Sequence, residues 1–69
     1  EAAAVIDHVA NVYSAGEQDH MDGLTVDMGD WWFNLRSSNT EPLLRLNLEA
    51  DDDDEVARRV EEVRAHFAG

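Results

Sequence analysis

One short stretch of this 69-residue chain gathers side chains that hold anions. Arg36-Ser37-Ser38-Asn39-Thr40-Glu41-Pro42 sets hydroxyls, an amide and turn-forming residues beside a guanidinium that can fork bidentately onto an oxyanion. Successive backbone N–H groups in such a loop can form an anion nest. A tetrahedral dianion such as phosphate needs many donors at close range, and this loop offers them from side chain and backbone together. Charge singles out the same place. The chain carries 16 acidic against 5 basic side chains, net −11, and no lysine, yet residues 34–48 hold Arg36 and Arg45 against Glu41 alone. That window is +1 and the remainder −12. Ser, Asn and Thr also occupy ordinary hairpin loops for turn reasons only, so the residues by themselves leave both readings open.

Other chemistry finds less support. Asp51 to Glu55 is an acidic run without the glycine and distal glutamate of an EF-hand loop, and it reads as a solvated helix start. His8, His20 and His66 have no partner at metal-ligand spacing. Ser37 and Ser38 lack an accompanying base or metal motif and are not nucleophile candidates. Without cysteine there is neither a disulfide nor a thiolate zinc site. The acid excess and the absence of lysine argue against nucleic-acid binding, whose affinity comes from cations on phosphates. No apolar run approaches the ~20 residues of a membrane span.

The elements that must position the loop follow from periodicity. Residues 1–15 place Val5, Val9 and Val12 on one stripe, with Ile6 and Tyr13 beside it, at helical spacing. Gly16 is read as the left-handed residue that closes this helix. A helix opening at residue 1 with no cap residue before it implies an upstream strand outside the sequence. From Leu24 the period becomes two. Leu24, Val26 and Met28, then Trp31, Phe33 and Leu35, alternate with polar residues around Gly29-Asp30, which predicts a tight hairpin. Its register sets Val26 against Phe33 and Leu24 against Leu35, with Asp27 against Trp32 and Thr25 against Asn34. Leu44, Leu46 and Leu48 make a third strand. Val56, Val60, Val63 and Phe67 then stripe a helix over residues 51–68. The pattern predicts helix, three antiparallel strands, helix: an α+β two-layer domain with both helices on one sheet face. Arg36 and Arg45 fall on the other face. Trp31 should be core; Trp32 should lie on the polar face, where it packs against a neighbour or stacks on Arg36.

The motif Arg36-x-Ser38-Asn39-Thr40-Glu41-Pro42 resembles the phosphate-binding loop of the C-terminal domain of the α-D-phosphohexomutases. Trp31-Trp32-Phe33-Asn34-Leu35 before it and Leu43 to Ala50 after it are similar to the bacterial phosphomannomutase/phosphoglucomutase branch. Asn39, where phosphoglucosamine mutases usually carry glycine, favours mannose and glucose phosphates over the amino sugar.

The resemblance implies a TATA-box-binding-protein-like domain that ends a four-domain cytoplasmic enzyme and closes over its active site. It implies a phosphoserine and a magnesium ion in the earlier domains, with this fragment holding no cofactor of its own. Phosphate moves between O1 and O6 of a hexose through a bound bisphosphate, and the last domain grips the phosphate that is not being transferred. By motif match Arg36, Ser38, Asn39 and Thr40 contact that phosphate, with Arg45 a further candidate outside the signature. Glu41 is expected to turn away and pair with Arg45. The expected partners are hexose phosphates and the preceding domains of the same chain, and the fragment alone should be inactive. A free-standing acidic α+β module that binds a phosphorylated ligand or a protein partner is the alternative.

Overall fold

The computed structural model describes residues 2–37 and 44–66. Its elements run α1 (Ala2–Val12), β1 (Glu17–Asp19), β2 (Leu24–Asp27), β3 (Trp32–Ser37), β4 (Leu44–Glu49) and α2 (Asp53–Arg64). The four strands form one antiparallel sheet in the order β1-β2-β3-β4. This is the α+β arrangement expected from the sequence, with one short edge strand, β1, added.

Each pair of the β2–β3 register is the one that alternation demands: Leu24↔Leu35, Thr25↔Asn34, Val26↔Phe33 and Asp27↔Trp32. A slip by one residue would carry the whole apolar set to the opposite face. At the turn the Met28 N–H donates to the Trp31 carbonyl (2.9 Å). Gly29 there has φ 97°, a conformation that favours glycine in a two-residue hairpin loop. Strand β4 continues the ladder with Phe33↔Leu48, Leu35↔Leu46 and Arg36↔Arg45.

Both helices pack on the apolar face. Val9 and Tyr13 from the α1 side, Val63 from α2, and Leu24, Val26, Trp31, Phe33 and Leu35 from the sheet are buried together. Leu44, Leu46 and Leu48 also face the helices but stay half-buried on the edge strand, as do Val56 and Val60 on α2. Phe67, expected in the same core, lies outside the described residues. The Tyr13 ring meets Trp31 (5.7 Å) and Phe33 (5.1 Å) edge-on, and the Arg59 guanidinium lies 4.7 Å over Trp31.

The end of α1 departs from the sequence reading. The helix stops at Val12 rather than residue 15, and Gly16 is not one of the glycines with positive φ. Gln18 of β1 caps the helix end: its Nε2 donates to the Ala10 carbonyl (2.8 Å), a group a helix end leaves without an intrahelical partner, and to the Tyr13 carbonyl (3.3 Å), which also accepts from the Gly16 N–H at 3.1 Å. Gly16 matters for space instead: a Cβ there would meet Met28 Sδ at 2.5 Å and the Asp27 carbonyl at 2.9 Å. At the other helix the acidic run has the plain role expected of it. Asp52 is the N-cap, accepting from the Glu55 N–H at 2.8 Å, and Asp53, Asp54 and Glu55 fill the first turn. Among the described residues no helix is long and apolar enough to cross a membrane.

Candidate functional site

The polar face of the sheet is built in three rows across β2, β3 and β4. Asp27, Trp32 and Glu49 form the first, Thr25, Asn34 and Asn47 the second, and Arg36 and Arg45 the third. The rows are tied by side chains. Trp32 Nε1 donates to Glu49 Oε2 (3.2 Å), and Asn34 Nδ2 donates to Thr25 Oγ1 (3.0 Å). Trp32 is therefore engaged along its own row and does not stack on Arg36. It remains partly open to solvent on this face.

The third row is electrostatically unusual. Arg36 and Arg45 are direct cross-strand partners, which brings their Cβ atoms to about 4.5–5.5 Å on one face. Like charges carried on directly opposed residues disfavour each other, and an anion held by both guanidiniums would remove that repulsion. The pair sits one residue inside the end of the described β3–β4 ladder at Ser37↔Leu44. Ser38, Asn39, Thr40 and Glu41, named from the sequence motif, lie outside the described residues. The structure thus brings Arg36 and Arg45 together as alternation required.

One further residue reaches Arg36 that the sequence reading passed over. Asp22, in the turn between β1 and β2, sets Oδ2 3.3 Å from Arg36 Nη1. Its backbone carbonyl accepts from Asn34 Nδ2 at 2.9 Å, the amide that also reaches Thr25. The signal was the Asp22-Gly23 dipeptide, a turn marker just ahead of a strand, but nothing in its spacing pointed 14 residues onward to Arg36.

Elsewhere among the described residues, titratable and aromatic side chains meet at one further place. His8 and His66, distant in sequence, come to 6.0 Å between ring centroids, with His66 5.7 Å from Tyr13. Among the described residues no three of His, Cys, Asp or Glu gather where a metal ion could be held. Arg58 and Arg59 are spent on Glu55 and Glu62 within α2.

Comparison with known proteins decides the family. Residues 1–66 match the family described as phosphoglucomutase/phosphomannomutase, C-terminal domain. This chain belongs to that family. A phosphomannomutase of Methanocaldococcus jannaschii is 54% identical over 46 residues, 67% of this chain and 10% of the relative. A Salmonella typhimurium phosphomannomutase is 49% identical over 55 residues, 77% of this chain and 12% of the relative. A protein named phosphohexose mutases from Xanthomonas campestris is 65% identical over 37 residues, 54% of this chain and 8% of the relative. The chain spans about a tenth of the length of the curated relatives it matches.

Proposed function

We propose that this phosphoglucomutase/phosphomannomutase domain binds the phosphate of a hexose phosphate, with Arg36 and Arg45 as its charged ligands and Ser38, Asn39 and Thr40 completing the grip. The observation that carries the reading is the Arg36↔Arg45 pair, two cations opposed on an open face of a chain of net charge −11. A phosphate dianion supplies the counter-charge that this pair calls for, and guanidiniums hold it through short, charge-assisted hydrogen bonds.

In this reading the domain is the C-terminal part of a longer cytoplasmic mutase that interconverts hexose 6-phosphate and hexose 1-phosphate. It holds the phosphate that is not being transferred, while nucleophile and magnesium belong to preceding domains. The relatives' names, phosphomannomutase and phosphohexose mutases, support the substrate class. The 69-residue chain alone should leave mannose 6-phosphate unchanged.

The test is kinetic and structural together. In the longer enzyme Arg36→Ala should remove a charge-assisted contact of roughly 1.5–3 kcal/mol, lowering kcat/KM by about 10- to 150-fold, whereas Arg64→Ala at the exposed end of α2 should change little. Titrating the 69-residue chain with mannose 6-phosphate should move the amide resonances of residues 36 to 41 and Arg45 first. Shifts confined to residues 51–55, with Arg36→Ala kinetically normal, would refute the assignment.

A further inference from the structure

We propose that Asp22 competes with the phosphoryl group for Arg36, so that the turn between β1 and β2 sets the affinity of the site. The proposal rests on the reading of Arg36 and Arg45 as phosphate ligands and adds a residue that controls them.

Two features of Asp22 point in different directions, and separating them gives the inference its content. Its backbone is fixed. The Asp22 carbonyl is bonded to Asn34. Gly23, beside it, has φ +75° and lies so close to β3 that a Cβ would meet Arg36 Cβ at 2.6 Å and the Leu35 carbonyl at 2.7 Å. The turn is thereby seated on the strand that carries Arg36, which keeps the Asp22 backbone beside it. The side-chain contact, by contrast, is weak. It spans 3.3 Å between groups 42% and 79% exposed, the class of ion pair that contributes little and exchanges readily.

A fixed backbone that delivers a loosely held carboxylate suits a competitor better than a structural brace. Asp22 offsets part of the Arg36–Arg45 repulsion. A dianion offers more charge and more acceptor oxygens than one carboxylate, so it wins the guanidinium. Asp22 then stands beside it as a like charge and opposes it. Its effect is to weaken retention of phosphate, which a site that must release its ligand can use.

Asp22→Asn tests this cleanly, since it removes the charge while keeping the carbonyl bonded to Asn34 and the turn. Titration of the 69-residue chain with inorganic phosphate, followed at the Arg36 and Arg45 amides, should give a Kd about two- to fivefold lower than the unsubstituted chain at low salt. The two should converge as salt screens the carboxylate. Asp22→Glu, which keeps a carboxylate within reach, should stay near the unsubstituted value. A residue that merely shaped the turn would produce neither the salt-dependent gain nor the rescue by Glu. Phosphate bound by Asp22→Asn equally or more weakly overturns the inference. Arg36→Ala and Arg45→Ala in the same titration separate the causes. If both lose phosphate while Asp22→Asn is unchanged, competition by Asp22 is wrong and the site stands. If neither alters binding, the phosphate reading falls and this inference with it.

Discussion

Arg36 and Arg45 show how one residue type takes opposite roles in the same small domain. Arg59 lies over Trp31 between Glu55 and Glu62, where its charge is matched and its stem covers the core. Arg45 instead faces another arginine, a pairing that costs stability. Arg45→Gln should therefore raise the unfolding free energy by roughly 0.2–1 kcal/mol while weakening phosphate binding. Chemical denaturation and a phosphate titration on one variant would show the two changes with opposite sign, and loss of stability would mean the pair is not repulsive. The Tyr13–Glu62 bond, 2.7 Å from hydroxyl to carboxylate, makes a pH prediction. Burial alone would raise the Glu62 pKa, but the hydrogen bonds from Tyr13 and Arg59 and the Arg59 charge outweigh it and hold the group below its ordinary 4.5. Its stabilising contribution is thus complete above that value and lost as pH falls through the lowered one. Burial, then the bond to Glu62 and its charge, push the Tyr13 hydroxyl well above its ordinary 10.0. That contribution is complete below 10.0 and lost as pH rises beyond it. Denaturant midpoints across pH should show a flatter acid limb in Glu62→Gln and a flatter alkaline limb in Tyr13→Phe; unchanged limbs would place the pH dependence elsewhere.

Among the elements, the turn between β1 and β2 is where the backbone has least room. Gly23→Ala must hold an alanine at φ +75° with its Cβ against the Leu35 carbonyl, a conformation costing about 1–3 kcal/mol before the clash. Gly29→Ala meets nothing within 4 Å and should cost less. Equal losses in a thermal melt of the two variants would mean that contact with β3 is not what Gly23 provides. The β2–β3 hairpin was legible from sequence because every cross-strand pair agrees in character, apolar with apolar and polar with polar, which leaves one register. Strand β1 was not, because Glu17-Gln18-Asp19 buries no apolar side chain. Its inward residue, Gln18, bonds the carbonyls of α1, a task with no periodic signature. The same tie explains why α1 ends early and why Gly16 serves close packing rather than a left-handed cap. For the site, alternation alone placed Arg36 and Arg45 on one face. Asp22 was illegible because a turn, not a period, brings it to Arg36.

The molecule as a whole is small and crowded with like charge: 16 acidic side chains against 5 arginines, within extents of 31 × 21 × 20 Å. At about 0.01 M salt the screening length is roughly 30 Å, as long as the domain, so its acids all repel one another and compaction costs electrostatic work. At about 0.1 M the length falls to roughly 10 Å, and distant pairs drop out. Contacts such as Arg59–Glu62 at 2.9 Å persist, being shorter than any screening length in that range. Added NaCl should therefore remove more repulsion than attraction and raise the thermal midpoint of the 69-residue chain. A domain of 60–100 residues shifts by about 4–8 °C per kcal/mol, so even a modest gain is measurable by circular dichroism. Charge is the cause only if the gain tracks it. Near pH 4, where carboxylates begin to take up protons and the net charge shrinks, the same salt step should raise the midpoint far less than at pH 7. A salt response of equal size at both pH values would instead assign the stabilisation to salting-out of apolar surface, which does not depend on the acids.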